Sequence, residues 1–216
     1  MARKAHRQYE NDLPSVTQIL GVLRKIGLEM WFKYNTAKFC DEESRKGKDA
    51  GTDTHTAIQQ YIETGTAKVE SQYADEVTGA LQSFILFRKE NPEILLSLSE
   101  VPLTHADYGY NGTIDAPHPP MLGDWKTANA KDKDKPEIYD EAKAQVSAYV
   151  HLWNWNHPDD LIDQAYIVAL AKDKVAYNLY KMDQKEIDEY FHEIFLPALK
   201  IFNFQKQTKE RQKNGQ

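Results

Sequence analysis

Cysteine is nearly absent. Cys40 stands alone among 216 residues, so no disulfide can form within the chain, and Cys40 itself reads as a small buried hydrophobe. Long apolar runs are lacking too. None approaches the roughly twenty residues that span a bilayer, so no membrane partner is expected. The opening stretch, MARKAHRQYEND, is basic but has no apolar h-region, and it turns acidic too soon for a transit peptide. The expected location is therefore the cytoplasm, in a bacterial or phage-infected cell. A basic excess is missing as well. The formal net charge is −6, a poor balance for a protein that holds duplex nucleic acid on a broad basic face. Internal repeats and linker-like stretches are absent, so residues 1–207 are expected to form a single domain, with a polar, mobile tail at 208–216.

What is present is ordinary for a globular protein: 41% hydrophobic and 28% charged residues. The charge is unevenly spread. Residues 1–50 carry ten Lys/Arg against seven Asp/Glu, and residues 200–216 carry five against one, so the acidity concentrates between them. Ser15 with Gln18 forms a capping box, and Val16, Ile19, Leu20, Leu23 and Ile26 give a helical stripe up to Gly27. The Ser15 and Thr17 hydroxyls there either cap the helix or help its free N–H groups hold a phosphate. Leu28 to Phe39 reads as an aromatic helix whose rings either join the core or, beside Lys33 and Lys38, stack single-stranded bases, and Asp41 to Lys48 as a charged loop or frayed helix end. Further helices are expected over Asp49–Glu63, ended by Gly65, over Ser71–Asn91 with Ile85 facing inward, and over Pro136–Trp155. Ile94 to Asp107 reads as a strand, and Gln164–Ala171 with Val175–Met182 as a β-hairpin. Asp183 caps a last helix that runs to about Phe204, with a kink at Pro197.

The chemistry-bearing stretch is Tyr108 to Thr127, YGYNGTIDAPHPPMLGDWKT. It reads as two strands joined by a break at Pro117, Pro119, Pro120 and Gly123. Strand alternation puts Asp124 and Lys126 on one face and Trp125 on the other, with Asp115 within a side chain's reach. Two carboxylates and an ammonium suit a divalent-metal hydrolase: the acids hold a hard cation, and the lysine orients or deprotonates a water. Glu100 opens an upstream strand. Gly112 permits a close approach of backbone, while Gly51 and His55 share one helix face and Gln145 and Tyr149 another. Lys131, Lys133 and Lys135 sit in a polar, flexible tract just beyond.

Taken in order, G-x3-H, E, G-x-x-D, D-x-K and Q-x3-Y resemble the RecB-like branch of the PD-(D/E)XK nucleases. Within it they are similar to the mitochondrial genome maintenance exonucleases. The resemblance spans roughly Ser15 to Tyr149, and LPSVTQIL resembles the family's opening helix. Ile114 stands where the nominal proline would be. The resemblance implies an α/β restriction-endonuclease-like fold, with a central mixed sheet flanked by helices and a helical N-terminal third. It also implies Mg²⁺, with Mn²⁺ substituting, held by His55, Asp115, Asp124 and the Trp125 carbonyl. Glu100 would assist at that metal or a second one, Lys126 would act on the water, and Gln145 and Tyr149 would position the scissile strand. Cleavage would leave a 5′-phosphate. The iron–sulfur cluster that some RecB-like nucleases hold on four cysteines is excluded here.

The function implied is a metal-dependent DNA exonuclease, acting on single-stranded DNA with a free end, in recombination, repair or degradation. The alternatives are a structure-specific endonuclease of phage or mobile-element origin, a catalytically inactive nucleic-acid-binding subunit, and a hydrolase of another phosphoester.

Overall fold

The run QAYIVALA, Gln164–Ala171, is apolar almost throughout, and a strand buried on both faces accommodates such a run. It forms an interior strand of the sheet. The computed structural model describes residues 11–23, 26–95 and 100–214. The basic opening stretch and part of the expected strand before Glu100 lie outside the described residues. Four helices come first: α1 (Val16–Leu20), α2 (Ile26–Tyr34), α3 (Ala37–Thr64) and α4 (Ala74–Glu90). Strands β1 (Val101–His105), β2 (Tyr110–Ile114), β3 (Ala116–His118) and β4 (Met121–Ala128) follow. Next come α5 (Asp140–Asn156), β5 (Gln164–Ala171) and β6 (Tyr177–Met182). The chain closes with α6 (Gln184–Tyr190) and α7 (Leu196–Asn214), joined through a π-helical turn at Phe191–Phe195.

The main sheet has the order β3-β4-β5-β6. It is mixed: β3/β4 and β5/β6 are antiparallel, while β4/β5 are parallel across α5. A separate antiparallel pair, β1/β2, lies beside it. This is the expected α/β architecture, a mixed sheet with helices on its faces and a helical N-terminal region. Alternation along β5 divides two cores. Ala165 and Ile167 pack with Leu122 and with residues of α1, α5 and α7, whereas Tyr166, Val168 and Leu170 pack with Trp125 and with α3 and α4. Polar clasps fix α4 to the sheet. Glu76 lies 2.7 Å from Lys46 of α3 and 2.6 Å from Lys172 at the end of β5, and the Ser83 hydroxyl donates to the Ala171 carbonyl at 2.8 Å.

Several sequence expectations are corrected. The first helix ends at Gly21 rather than Gly27, and the Ile26 side chain lies outside the description. The aromatic stretch is two helices, because Thr36 caps a new one through the Phe39 N–H. Asp41–Lys48 is neither a loop nor a frayed helix end but the interior of α3, since its charges sit on a solvated helix face. Ile85 is exposed, and α4 starts at Ala74 rather than Ser71. Gly123 lies inside β4, where it leaves room for the Trp125 ring: a Cβ there would sit 3.0 Å from Trp125 Cη2. The tract after β4 is tied down rather than loose. Asp173 accepts the N–H groups of Ala130 and Lys131, and Lys174 donates to the carbonyls of Lys131 and Lys133. The last helix continues to Asn214, well past Phe204, and its irregular turn precedes Pro197, which lacks the N–H to continue the ladder.

Candidate metal centre

The strand read as continuous from Tyr110 to Ala116 is bent at Asp115. Before the bend it pairs with β1, and after it with β4, so Asp115 sits at the split between the two sheets. Ile114, at the nominal proline position, is fully buried and anchors the bend in the core. The Asp115 carboxylate reaches β4, where Oδ2 accepts the Trp125 backbone N–H at 2.9 Å. In a strand the N–H and C=O of one residue point to the same edge, so the Trp125 carbonyl is directed towards Asp115 as well. The indole goes the opposite way from the neighbouring carboxylate, edge-on to Phe84 at 5.2 Å.

Two further elements converge on Asp115. Helix α3 brings His55, whose Nδ1 lies 3.4 Å from Asp115 Oδ1 and 3.8 Å from Glu100 Oε1. Glu100 precedes β1, with its own N–H bonded to the Asp115 carbonyl at 3.0 Å. It adopts the left-handed conformation, φ 58°, unusual for a residue with a side chain. Ligand atoms of His55, Glu100 and Asp115 all lie within 4.8 Å of one another. A small cleft of about 10 Å³, room for about one water, opens among them. A larger concavity, about 510 Å³, lies elsewhere, between α7 and Tyr108, and its walls carry neither carboxylate nor imidazole.

Asp124 and Lys126 come from the other face of β4. They are paired, Nζ to Oδ2 at 2.7 Å, but off the direction a hydrogen bond needs. Asp124 is fully buried, and neither of its carboxylate oxygens accepts a hydrogen bond within the protein. Burial above all, with Asp115 adding to it, pushes the Asp124 carboxyl up to about 6 against the opposing pull of Lys126. Burial pushes Asp115 the same way, but His55, Lys126 and the Trp125 N–H overcome it and hold that carboxyl below its ordinary value. Burial would lower His55, yet Asp115 and Glu100 raise it to about 10. Lys126 is also raised: burial opposes, but Asp124 and Asp115 hold it as an ammonium.

A hard divalent cation fits this set. Two carboxylates and an imidazole converge within 4.8 Å of one another, and the buried Asp124 oxygens beside them accept no hydrogen bond within the protein. Such an ion would replace the proton shared by His55 and its acids.

The remaining sequence-derived residues divide. Gln145 donates to the Tyr149 hydroxyl at 2.8 Å, and the Tyr149 ring presses on Gly112, where a Cβ would come within 2.9 Å of it. The close approach expected at Gly112 is therefore made by α5. Ser15 and Thr17 are not brought to the cluster. The Ser15 hydroxyl caps the Gln18 N–H and contacts Thr17 Oγ1, and Ser15 bridges Asn111, about 13 Å along the strand from Asp115. Gly51 stands over Thr127 at the end of β4 with ordinary clearance, 3.7 Å from a Cβ. Two residues were missed. Glu141, in the first turn of α5, acts electrostatically on Lys126, and Gln59 lines the cleft one turn beyond His55. The same i, i+4 spacing that linked Gln145 to Tyr149 reaches both, from Gln145 and from His55.

No protein-family model matches this sequence, and no curated protein does. Several solved structures align with it. A phage-related exonuclease from Haemophilus somnus aligns at TM-score 0.41 and 13% identity, over 93% of this chain and 97% of its own. An alkaline exonuclease from Laribacter hongkongensis, crystallised with dAMP, gives 0.41 and 13% over 92% and 94%. A candidate exonuclease from Eubacterium rectale gives 0.57 at 14% identity, over 94% of this chain and 87% of its own, and with it the chain shares an α/β fold.

Proposed function

We propose that the chain is a Mg²⁺-dependent deoxyribonuclease, an exonuclease that hydrolyses phosphodiester bonds at single-stranded ends. The observation that carries this reading is the convergence of His55, Glu100 and Asp115 beside the buried Asp124–Lys126 pair at the split of the sheet. The motif order that resembles RecB-like PD-(D/E)XK nucleases supports it, as does a fold shared with a candidate exonuclease. The preference for free single-stranded ends extends the similarity to the mitochondrial genome maintenance exonucleases.

His55, Glu100, Asp115, Asp124 and the Trp125 carbonyl would hold the cation, which supplies Lewis-acid stabilisation of phosphoryl charge and a more acidic water. Lys126, kept as an ammonium by its acidic neighbours, donates from Nζ to a water or a phosphoryl oxygen and orients it for in-line attack. Gln145 and Tyr149, joined by their hydrogen bond, position the strand from α5. Glu141 balances the Lys126 charge from the same helix.

The test is one assay series with end-labelled and circular DNA, single- and double-stranded, in Mg²⁺, Mn²⁺ or EDTA. Degradation of linear single strands in Mg²⁺ or Mn²⁺ but not in EDTA is expected. Efficient cutting of single-stranded circles would make it an endonuclease. Binding without any cutting would leave a nucleic-acid-binding subunit.

A further inference from the structure

A cluster of apolar side chains stands exposed outside both cores. Leu28, Met30, Phe32, Tyr34 and Phe39 are all exposed, Phe32 at 47% and Tyr34 at 70%. None belongs to either hydrophobic cluster. A helix normally turns such residues inward, so this corner, where α2 meets α3, is built to be covered by something else. The rings are arranged with open faces. Trp31 meets Phe32 edge-on (62°, 5.2 Å) and Phe39 at a tilt (50°, 6.1 Å), so neither neighbour stacks flat against it.

Cations alternate with these rings. Lys33 Nζ lies 5.9 Å from the Tyr34 centroid, and the Lys38 side chain is 86% exposed, only loosely paired to Glu42 at 4.0 Å. A surface made to receive another protein's core would exclude such charges from its centre. Unpaired bases and their phosphates match both features at once, a π-face for each ring and an anion for each lysine. The acids Asp41 to Glu43 begin one turn further on, so attraction from charge alone is modest and stacking must dominate.

The second element is distance. Helix α3 starts at this corner and runs without interruption past His55. From Phe39 to His55 the axial rise is about 24 Å at 1.5 Å per residue. A stacked strand, at about 3.4 Å per nucleotide, needs about seven nucleotides to cover it.

We propose that the α2–α3 corner is a base-stacking platform for single-stranded nucleic acid, with α3 setting a fixed spacing between the platform and the metal centre. The proposal rests on the nuclease reading above. It places the grip on the strand well away from the scissile bond, so short and long strands should bind differently.

The experiment measures anisotropy of fluorescent dT4 and dT12 in EDTA, with thermal unfolding and sedimentation as controls. The full-length protein should bind dT12 more tightly than dT4. The double variant Phe32→Ala/Tyr34→Ala should lose roughly tenfold or more in dT12 affinity, lose most of the advantage of dT12 over dT4, and keep its melting temperature. Phe204→Ala, an equally exposed ring on α7, should change neither. Lys33→Gln should flatten the salt dependence of dT12 binding by about 0.7 in log–log slope. Equal dT12 affinity in the double variant and the parent would overturn the platform. So would an equal loss for both lengths, or a change in sedimentation mass, which would mean the patch joins two copies. A parent that cleaves linear DNA while the double variant binds dT12 normally sinks the platform alone. A parent that neither binds nor cleaves sinks the nuclease reading and the platform together.

Discussion

At the scale of single residues, the site is defined by unequal carboxylates. Asp115 is tied down by His55 and the Trp125 N–H, whereas Asp124 is buried, accepts no hydrogen bond within the protein and is paired with Lys126. Replacing Asp124 by Asn should therefore cost about 100-fold or more in cleavage while leaving the metal-free melting temperature unchanged or a few degrees higher, because the charge that burial and Asp115 disfavour is removed, which offsets the lost pairing with Lys126. Lys126→Met should cost turnover on a similar scale, roughly 10²-fold or more, but keep divalent-ion affinity, since the ammonium is not a ligand. Single-turnover cleavage and Mn²⁺ titration separate the two. Near-parental cleavage by Asp124→Asn would remove the site assignment.

Glu100 is strained as well as placed. A side chain at φ 58° costs about 1–2 kcal/mol that glycine does not incur. Glu100→Gly should leave stability equal or raise it by about 1 kcal/mol in urea unfolding, yet abolish cleavage. A drop in both would mean that Glu100 is there for structure. His105 makes a different prediction. It is buried, its Nδ1 accepts the Tyr108 N–H, and burial lowers its pKa to about 4. Above pH 6.5 the ring is neutral whether folded or unfolded. Between about 6.5 and about 4 the unfolded chain takes the proton first, so this group's stabilisation falls as pH falls. His105→Phe should remove that part of the loss, read as a smaller drop in melting temperature between pH 7 and pH 5 than the parent shows.

At the scale of elements, helix glycines show what packing adds to propensity. Gly47 and Gly79 both lie inside helices, where Ala is ordinarily better by about 1 kcal/mol. Around Gly47 nothing lies within 4 Å of a Cβ, so Gly47→Ala should stabilise by up to about 1 kcal/mol. At Gly79 a Cβ would sit 2.5 Å from the Lys172 carbonyl oxygen, backbone that cannot step aside, so Gly79→Ala should destabilise by about 1–3 kcal/mol. Denaturant midpoints of the two variants, compared with the parent, decide the matter; equal shifts would contradict the close packing of α4 on the β5–β6 hairpin.

At the scale of the whole molecule, the metal centre joins parts that are distant in sequence: α3, the approach to β1, the β2–β3 bend and β4. A divalent ion held by all of them binds the folded chain and not the unfolded one. Saturating Mn²⁺ at about 100 times its Kd should add about 2.7 kcal/mol, seen as a rise of roughly 5–10 °C in melting temperature that EDTA reverses. Asp124→Asn should shrink that rise. No rise in the parent would mean that the cluster holds no ion.

The chemistry-bearing residues were legible in the sequence because strand and helix periods are short-range facts. D-x-K puts Asp124 and Lys126 on one strand face, and i, i+4 joins Gln145 to Tyr149, whatever surrounds them. Ser15, Gly65 and Asp183 marked helix ends through local hydrogen bonding and backbone freedom. Tertiary structure decided the rest. Whether the residues after Phe39 form a loop or one 28-residue helix depends on the face that α3 buries against α4 and the sheet. The bend at Asp115 exists because two sheets compete for one strand, and Gly123 stays in the ladder because the Trp125 ring needs its space. The aromatics of α2 have a core-like composition, but composition cannot say whether a core takes them in, and among the described residues neither core does.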